Sequence, residues 1–178
     1  MHDLPIIAFD DLHRNPQRSS LDRACREWGI FHLSGHPVDP RLLRRMFAAM
    51  RGFFAQPAAR KRDVERTADN PWGFYDRELT KNARDWKEIF DVGPDIPTGG
   101  LPGARAQWPD ETAVGMHGFR ATLQAFSAAC EQVARGVLRE ISLNLGMPAH
   151  CLDSGFDAAH TSFLRLNYYP PCANPAPA

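Results

Sequence analysis

The sequence predicts a chain of mixed helix and strand, class α+β, and three patterns carry that prediction. Residues 119–145 place apolar side chains three or four positions apart, the period of one long helical face. Residues 43–54 repeat this spacing over a shorter amphipathic helix. Residues 164–169 instead alternate apolar and polar side chains, the period of a strand with one covered face.

Composition limits the classes of function that remain. The chain has 178 residues, enough for one ordinary domain or the front half of a larger one, and 43% of them are hydrophobic, as in globular proteins. The 21 basic and 21 acidic residues balance, which gives no electrostatic footprint for nucleic acid or an anionic membrane. No targeting segment is apparent. The four cysteines form no C-x-x-C pair, so we expect free thiols in a reducing cytoplasm.

In its first half the chain alternates short strands and helices. A helix should begin after Ser20, a favoured N-cap residue, and end at Gly29. A second should begin at Pro40 behind Asp39, because proline fits the first helical position. In order, we predict a strand at 4–9, a helix at 21–28, a strand at 30–33, a helix at 40–54 and an irregular charged segment at 57–71.

The second half leads from extended segments through a loop to the longest helix. That helix should begin near Asp110 and close at Gly146 and Pro148. A final strand should stop before Pro170, because proline lacks the N–H that a sheet needs. We predict extended structure at 72–75 and 85–93, a loop at 94–109, the helix to residue 145 and a strand at 162–169.

The final strand carries the most informative polar side chains. Arg165, Asn167 and Tyr169 should share one face, and Leu164, Leu166 and Tyr168 the other. A guanidinium, an amide and a phenol in a row can each donate a hydrogen bond to a small carboxylate. The alternative, which the pattern alone favours, is an edge strand whose polar face is solvated.

A possible acidic cluster offers a weaker candidate site. Asp85, Glu88 and Asp91 are three residues apart, so neighbours on a strand point to opposite faces and do not converge on a metal ion. We therefore expect these carboxylates to be solvated or to protect a sheet edge.

Four motifs resemble those of the iron(II)- and 2-oxoglutarate-dependent oxygenases that are similar to isopenicillin N synthase. They occur in the family's order and span nearly the whole chain. Residues 164–172 (LRLNYYPPC) resemble the N-Y-Y-P-P-C strand, and residues 24–36 (ACREWGIFHLSGH) resemble the A-C-x-x-W-G-F-F element. Residues 85–91 (DWKEIFD) and 107–109 (QWP) are similar to the D-W-K-E-x-F-D strand and to the N-x-W-P before the long helix.

This resemblance implies a fold and a chemistry. The fold would be the helical flank and first strands of a double-stranded β-helix, or jelly-roll. The implied segments are a non-haem dioxygenase N-terminal region at 1–110, a long packing helix with its connection at 111–160 and the first part of the jelly-roll core at 161–178. The implied cofactors are Fe(II) and 2-oxoglutarate. In the reaction that the resemblance implies, dioxygen is the oxidant: the oxo-acid is oxidised to succinate and carbon dioxide while a small molecule is hydroxylated, desaturated or cyclised.

The resemblance stops short of the family's metal site. That site uses H-x-D and a distant His, with an Arg-x-Ser for the oxo-acid, and all of them follow N-Y-Y-P-P-C in the family. None of the seven histidines here has an acid two residues later, and we interpret Arg18-Ser19-Ser20 at a helix cap as coincidence. We expect the chain to be truncated before the metal ligands, so that the 178-residue chain alone is inactive.

The resemblance also assigns roles to the final strand. Asn167 and Tyr169 would face the oxo-acid, and Arg165 is a further candidate on that face. The expected partner is a small-molecule substrate in the cytoplasm, not nucleic acid or a membrane. Two alternatives stay open: a relative that does not use 2-oxoglutarate, and a non-catalytic fragment or binding module.

Overall fold

The structure is a computed structural model that describes residues 4–14, 20–94, 104–156 and 162–171. Helices and short strands alternate along these ranges, which confirms the α+β class. In chain order the elements are β1 (Ile6–Ala8), α1 (Phe9–Leu12), α2 (Ser20–Glu27), β2 (His32–Ser34), α3 (Pro40–Phe54), α4 (Ala58–Arg62), β3 (Gly73–Tyr75), β4 (Leu79–Thr80), β5 (Ala83–Arg84), β6 (Glu88–Val92), α5 (Phe119–Asn144), a 3₁₀ helix (Asp153–Phe156) and β7 (Leu164–Tyr168).

The chain divides into two compact units. One comprises residues 1–40 and 128–158, and the other comprises residues 41–127 and 159–178. The boundary at residue 127 falls inside α5, so these units do not follow the three segments that the resemblance implies. That three-part organisation stays a prediction.

The first unit is built on a parallel pair of strands. β1 pairs with β2, with Ile7 opposite Leu33. Ile7 and residues of α1 and α2 form a small core, on which Val137 and Ile141 of α5 pack. The buried carboxylate of Glu140, also on α5, contacts His13 Nδ1 at 3.0 Å.

The second unit contains an antiparallel sheet with the strand order β3-β6-β7. Phe53 of α3 lies in the hydrophobic core of this unit, and its ring centroid is 4.5 Å from that of Phe90 on β6. Phe119 and Leu123 of α5 close the same core. The buried residues of this core are Met46, Phe53, Phe54, Val64, Phe74, Phe90, Val92, Phe119, Leu123 and Leu166.

The predicted long helical face therefore serves two hydrophobic cores. Its first positions, Phe119 and Leu123, pack in the second unit, whereas Val137 and Ile141 pack in the first. The prediction of one continuous helix is confirmed, because the 26 residues of α5 are unbroken.

The predicted start of that helix near Asp110 is wrong by nine residues, or about two and a half turns. Asp110 Oδ1 caps a separate turn by accepting hydrogen bonds from the N–H groups of Thr112 and Ala113. Gly118 then lies in the left-handed region at φ +79°. The carboxylate of Glu111 then accepts 2.7 Å hydrogen bonds from the N–H groups of Gly118 and Arg120, which caps the first turn of α5.

The sequence patterns do not predict two of the short elements. The segment predicted as irregular contains α4, and a two-residue hairpin joins β4 to β5 between the predicted extended segments. Its turn residues, Lys81 and Asn82, both have positive φ, which only a few side chains tolerate and which glycine usually signals. Of the predicted loop at 94–109, positions 95–103 lie outside the described residues.

β3 lies unusually close to the segment that follows α4. The N–H of Phe74 donates to the carbonyl of Val64 at 2.8 Å, and Gly73, at φ +109°, faces the same carbonyl. A Cβ at Gly73 would lie 2.2 Å from that oxygen, so only glycine fits.

Among the described residues, no helix has both the length and the apolar character that crossing a bilayer requires.

Candidate functional site

The site centres on β7, the strand that carries the predicted polar row. β7 pairs with β6 in antiparallel register, with Leu166 opposite Phe90 and Arg165 opposite Asp91. Leu166 is buried in the core, and the ring of Tyr168 stacks on Phe54 with centroids 5.3 Å apart. Alternation along the strand therefore places the apolar residues against the core, as predicted.

The opposite face of β7 presents the three predicted site residues. Asn167 is exposed, and Tyr169, one residue beyond the strand, is 65% exposed. Arg165 differs from both, because its guanidinium already has protein partners. Their assignment to a cofactor stays a prediction.

Asp91 is the main partner of Arg165. Arg165 donates from Nε to Asp91 Oδ1 at 2.7 Å and from Nη2 to Oδ2 at 2.8 Å. This is a bidentate ion pair between residues directly opposite each other on β6 and β7. This hydrogen bond is the main cause that holds the pKa of Arg165 above its ordinary value. The expectation that Asp91 is solvated or protects a sheet edge is wrong, since the residue is only 2% exposed and β6 lies between β3 and β7.

Burial of Asp91 follows from the position of β6 in the middle of the sheet. Phe90 faces the core, while Ile89 and Asp91 on the other face are also fully covered. A carboxylate there needs a cation to offset its lost hydration, and Arg165 on the neighbouring strand supplies one.

Glu78 occupies the remaining edge of the guanidinium. Its Oε1 lies 3.3 Å from Arg165 Nη1 and 3.8 Å from Arg66 Nη1, and its Oε2 lies 2.9 Å from Lys87 Nζ. Partial burial opposes ionisation of Glu78, but the hydrogen bond from Lys87 and the charges of Arg165 and Arg66 outweigh it. The pKa of Glu78 is therefore below its ordinary value.

Sequence reasoning missed Asp91, Glu78 and Arg66 as members of this network. Glu78 and Arg66 belong to none of the four family-like motifs, so no local pattern marks them. Asp91 ends the motif at 85–91, but only the strand register connects it to Arg165, 74 residues away.

The described residues do not fit an iron ion. Within them, no group of three or more His, Cys, Asp or Glu side chains is arranged to hold a metal. The three candidate carboxylates each contact a different cation: Asp85 lies near Lys87, Glu88 near the buried Lys61, and Asp91 near Arg165. These carboxylates therefore serve as partners of basic side chains.

Comparison with known families identifies the group to which the chain is related. The family model described as non-haem dioxygenase in morphine synthesis, N-terminal, matches residues 4–111. The chain belongs to this family. The matched segment corresponds to the N-terminal region of such dioxygenases, as the four motifs indicate.

Curated relatives of this dioxygenase family match almost the whole chain. The oxoglutarate-dependent flavonoid 7-O-demethylase 1 of Ocimum basilicum is 29% identical over 97% of this chain and 46% of its own length. The 2-oxoglutarate-dependent dioxygenase caaD of Aspergillus niger is 32% identical over 83% of this chain and 47% of its own. The chain thus spans about half the length of the curated relatives it matches.

Solved structures share the fold. A full-length Neurospora crassa protein in complex with alpha-KG superposes with a TM-score of 0.78 at 24% identity, covering 94% of this chain and 54% of that one. A 2OG-Fe(II) oxygenase family protein of Caulobacter crescentus gives 0.82 at 22% identity, covering 99% and 59%. At these identities the likeness establishes the fold.

Proposed function

We propose that the chain is the N-terminal part of an iron(II)- and 2-oxoglutarate-dependent oxygenase that hydroxylates, desaturates or cyclises a small molecule. The observation that carries this proposal is the family match at residues 4–111 together with relatives named for oxoglutarate dependence. In this proposal the iron ligands and later jelly-roll strands belong to the half of those relatives that has no counterpart here, and the 178 residues alone are inactive.

The proposed contribution of this chain is one wall of the oxo-acid pocket. Tyr169 and Asn167 present a phenol and an amide on the exposed face of β7, and both can donate hydrogen bonds to a carboxylate. Arg165 adds positive charge to the same face, held in place by Asp91. A dicarboxylate would find donors about 7 Å apart along the strand.

The proposal also includes a cellular compartment, the cytoplasm, and a binding partner, a small-molecule substrate. A balanced charge and free thiols favour a small-molecule substrate in the cytoplasm over nucleic acid or a membrane. The name of the Ocimum basilicum relative supports this choice of partner, since a flavonoid is a small molecule.

Substitution of the two adjacent tyrosines tests the oxo-acid wall. In a full-length enzyme in which this chain is continued by the metal-binding half, Tyr169→Phe removes one charge-assisted hydrogen bond and keeps the ring. The expected loss is about 1.5–3 kcal/mol, a roughly ten- to hundredfold rise in the 2-oxoglutarate concentration needed for half-maximal succinate formation. Tyr168→Phe is the matched control, because its ring keeps the stack on Phe54.

The outcomes separate the alternatives. An equal loss in both variants, or a larger loss in Tyr168→Phe, would contradict the assignment of faces. Succinate formed by the 178-residue chain itself would contradict the proposal that catalysis needs the other half. A full-length enzyme that oxidises its substrate without consuming 2-oxoglutarate would identify a relative that dispenses with the oxo-acid.

A further inference from the structure

Arg165 holds two carboxylates in two different ways. Asp91 takes the Nε and Nη2 edge with contacts of 2.7 and 2.8 Å, and its side chain is only 3% exposed. Glu78 takes Nη1 through a single 3.3 Å contact, and its side chain is 20% exposed. The pair with Asp91 is therefore fixed, whereas the place of Glu78 is open to exchange with a carboxylate from solvent.

Glu78 also stands at the base of the β4–β5 hairpin. It directly precedes Leu79, and its carbonyl accepts a 2.8 Å hydrogen bond from the N–H of Asp85 on the far side of the hairpin. The two strands have two residues each and form a sheet of their own. A two-stranded hairpin of this size is marginally stable by itself, so contacts at its base decide how long it stays closed.

The surroundings suit an incoming acid. Arg165 is 34% exposed, so solvent reaches its guanidinium. Asn167 and Tyr169 continue the exposed face of β7 at intervals of about 7 Å and can bind a second polar group. Once displaced, Glu78 keeps Lys87 at 2.9 Å as a partner, which limits the energetic cost of the exchange, and what the hairpin loses is its contact with Arg165 on β7.

We propose that the Nη1 edge of Arg165 is a carboxylate-binding site that Glu78 occupies as an internal substitute, and that an external organic acid displaces Glu78 and loosens the β4–β5 hairpin. The inference deepens the proposed function and rests on it only for the source of the acid. The source is either the oxo-acid or a carboxylate-bearing substrate, and both present the same chemistry to Arg165.

Binding to the purified 178-residue chain tests this without turnover. Calorimetric titrations at constant ionic strength use 2-oxoglutarate, succinate and 3-phenylpropanoate, with 3-phenylpropanamide as the neutral control. We expect the acids to bind with dissociation constants on the order of millimolar, typical of one partly exposed ion pair, and the amide not to bind. The tighter of 2-oxoglutarate and 3-phenylpropanoate identifies the source, since the first represents the oxo-acid and the second an aromatic substrate.

Three variants locate the site. Glu78→Gln removes the internal competitor and should tighten acid binding about five- to tenfold. Arg165→Lys keeps a cation beside Asp91 but loses the second edge, and should weaken binding at least fivefold with the fold retained. Asp76→Asn removes a carboxylate that contacts Arg62, Arg77 and Arg84, and should leave acid affinity within about twofold.

Amide hydrogen exchange at residues 79–85 reports the hairpin. Acid should accelerate exchange there in the wild-type chain, whereas in Glu78→Gln exchange should already be fast and insensitive to acid. Near-ultraviolet circular dichroism confirms that each variant is folded before its affinity is compared. Equal binding of the amide, unchanged affinity in Glu78→Gln or Arg165→Lys, or an unchanged hairpin on adding acid would each overturn the inference. The binding and exchange measurements need no turnover, so failure of the oxygenase proposal would leave this result standing, and the reverse also holds.

Discussion

Removal of the Asp91 carboxylate should destabilise the fold much more than removal of an exposed acidic charge. Asp91→Asn leaves Arg165 facing a neutral amide in a site where the acid is 3% exposed and the guanidinium 34%. Breaking a fully buried pair costs about 3–5 kcal/mol, and an exposed pair is worth about 0.2–1 kcal/mol. With one partner buried and the other a third exposed, we expect a loss of about 2–3 kcal/mol in the free energy of unfolding.

Urea unfolding of the 178-residue chain measures this loss. At a slope of about 2 kcal/mol per molar urea, the midpoint should fall by roughly 1 M with the slope unchanged. Arg165→Gln and the double variant complete a cycle, whose coupling energy should be about 2 kcal/mol. Asp63→Asn is the control, since Asp63 lies 3.7 Å from Arg60 with both side chains exposed, and should cost less than about 0.5 kcal/mol.

The coupling energy decides whether the reasoning is right. A value below about 0.5 kcal/mol would mean that the two side chains stabilise the fold independently, and that the pairing between β6 and β7 does not depend on their ion pair. A loss in Asp63→Asn equal to that in Asp91→Asn would point to overall charge in place of the buried site.

Two further predictions address backbone fit and pH. Gly73→Ala should lower the free energy of unfolding by at least about 2 kcal/mol, because its Cβ would meet the Val64 carbonyl at a positive φ. Gly52→Ala should raise that free energy by about 0.5–1 kcal/mol, because Gly52 lies within α3 and no atom stands where its Cβ would go. Equal effects of the two substitutions in thermal melts would refute this. Hydrogen bonds from Arg139 first and then His150 hold the pKa of Asp153 below its ordinary value. A lowered folded pKa gives stability that is present above the unfolded value near 4 and is lost as pH falls through the folded pKa. Asp153→Asn should therefore lower the melting temperature at pH 7 and leave it unchanged near pH 2; a constant difference at both pH values would contradict the assignment.

Sequence periodicity was a sufficient guide where an element is long or has one covered face. The spacing along α3 and α5 and the alternation along β7 gave the correct structure type and the correct faces, including Tyr168 against Phe54. The helical period does not locate the start of α5, because it does not show that the Glu111 carboxylate accepts from the N–H of Gly118 and so caps the first turn of a helix that begins at Phe119.

The ion-pair network was beyond the reach of local patterns. The spacing of Asp91 from Asp85 and Glu88 predicts a solvated or edge-protecting carboxylate, yet β6 lies in the middle of the sheet and is covered on both faces. Its partner Arg165 is 74 residues away, and Glu78 enters the site through a hairpin whose turn lacks the glycine that would have marked it. The register of β6 and β7 brings Asp91 opposite Arg165, and the hairpin then adds Glu78.

The division of α5 between two cores has a consequence for the order in which the chain folds during synthesis. Ile7 and Leu21 leave the ribosome early, but Val137 and Ile141, which pack on their core, are synthesised more than a hundred residues later. At about 5–20 residues per second, that delay lasts roughly 5–25 seconds. The residues between them, which contain most of the second unit, can collapse first around Phe53. The nascent first unit therefore waits with its apolar residues uncovered, and this interval is where we expect a chaperone to matter most.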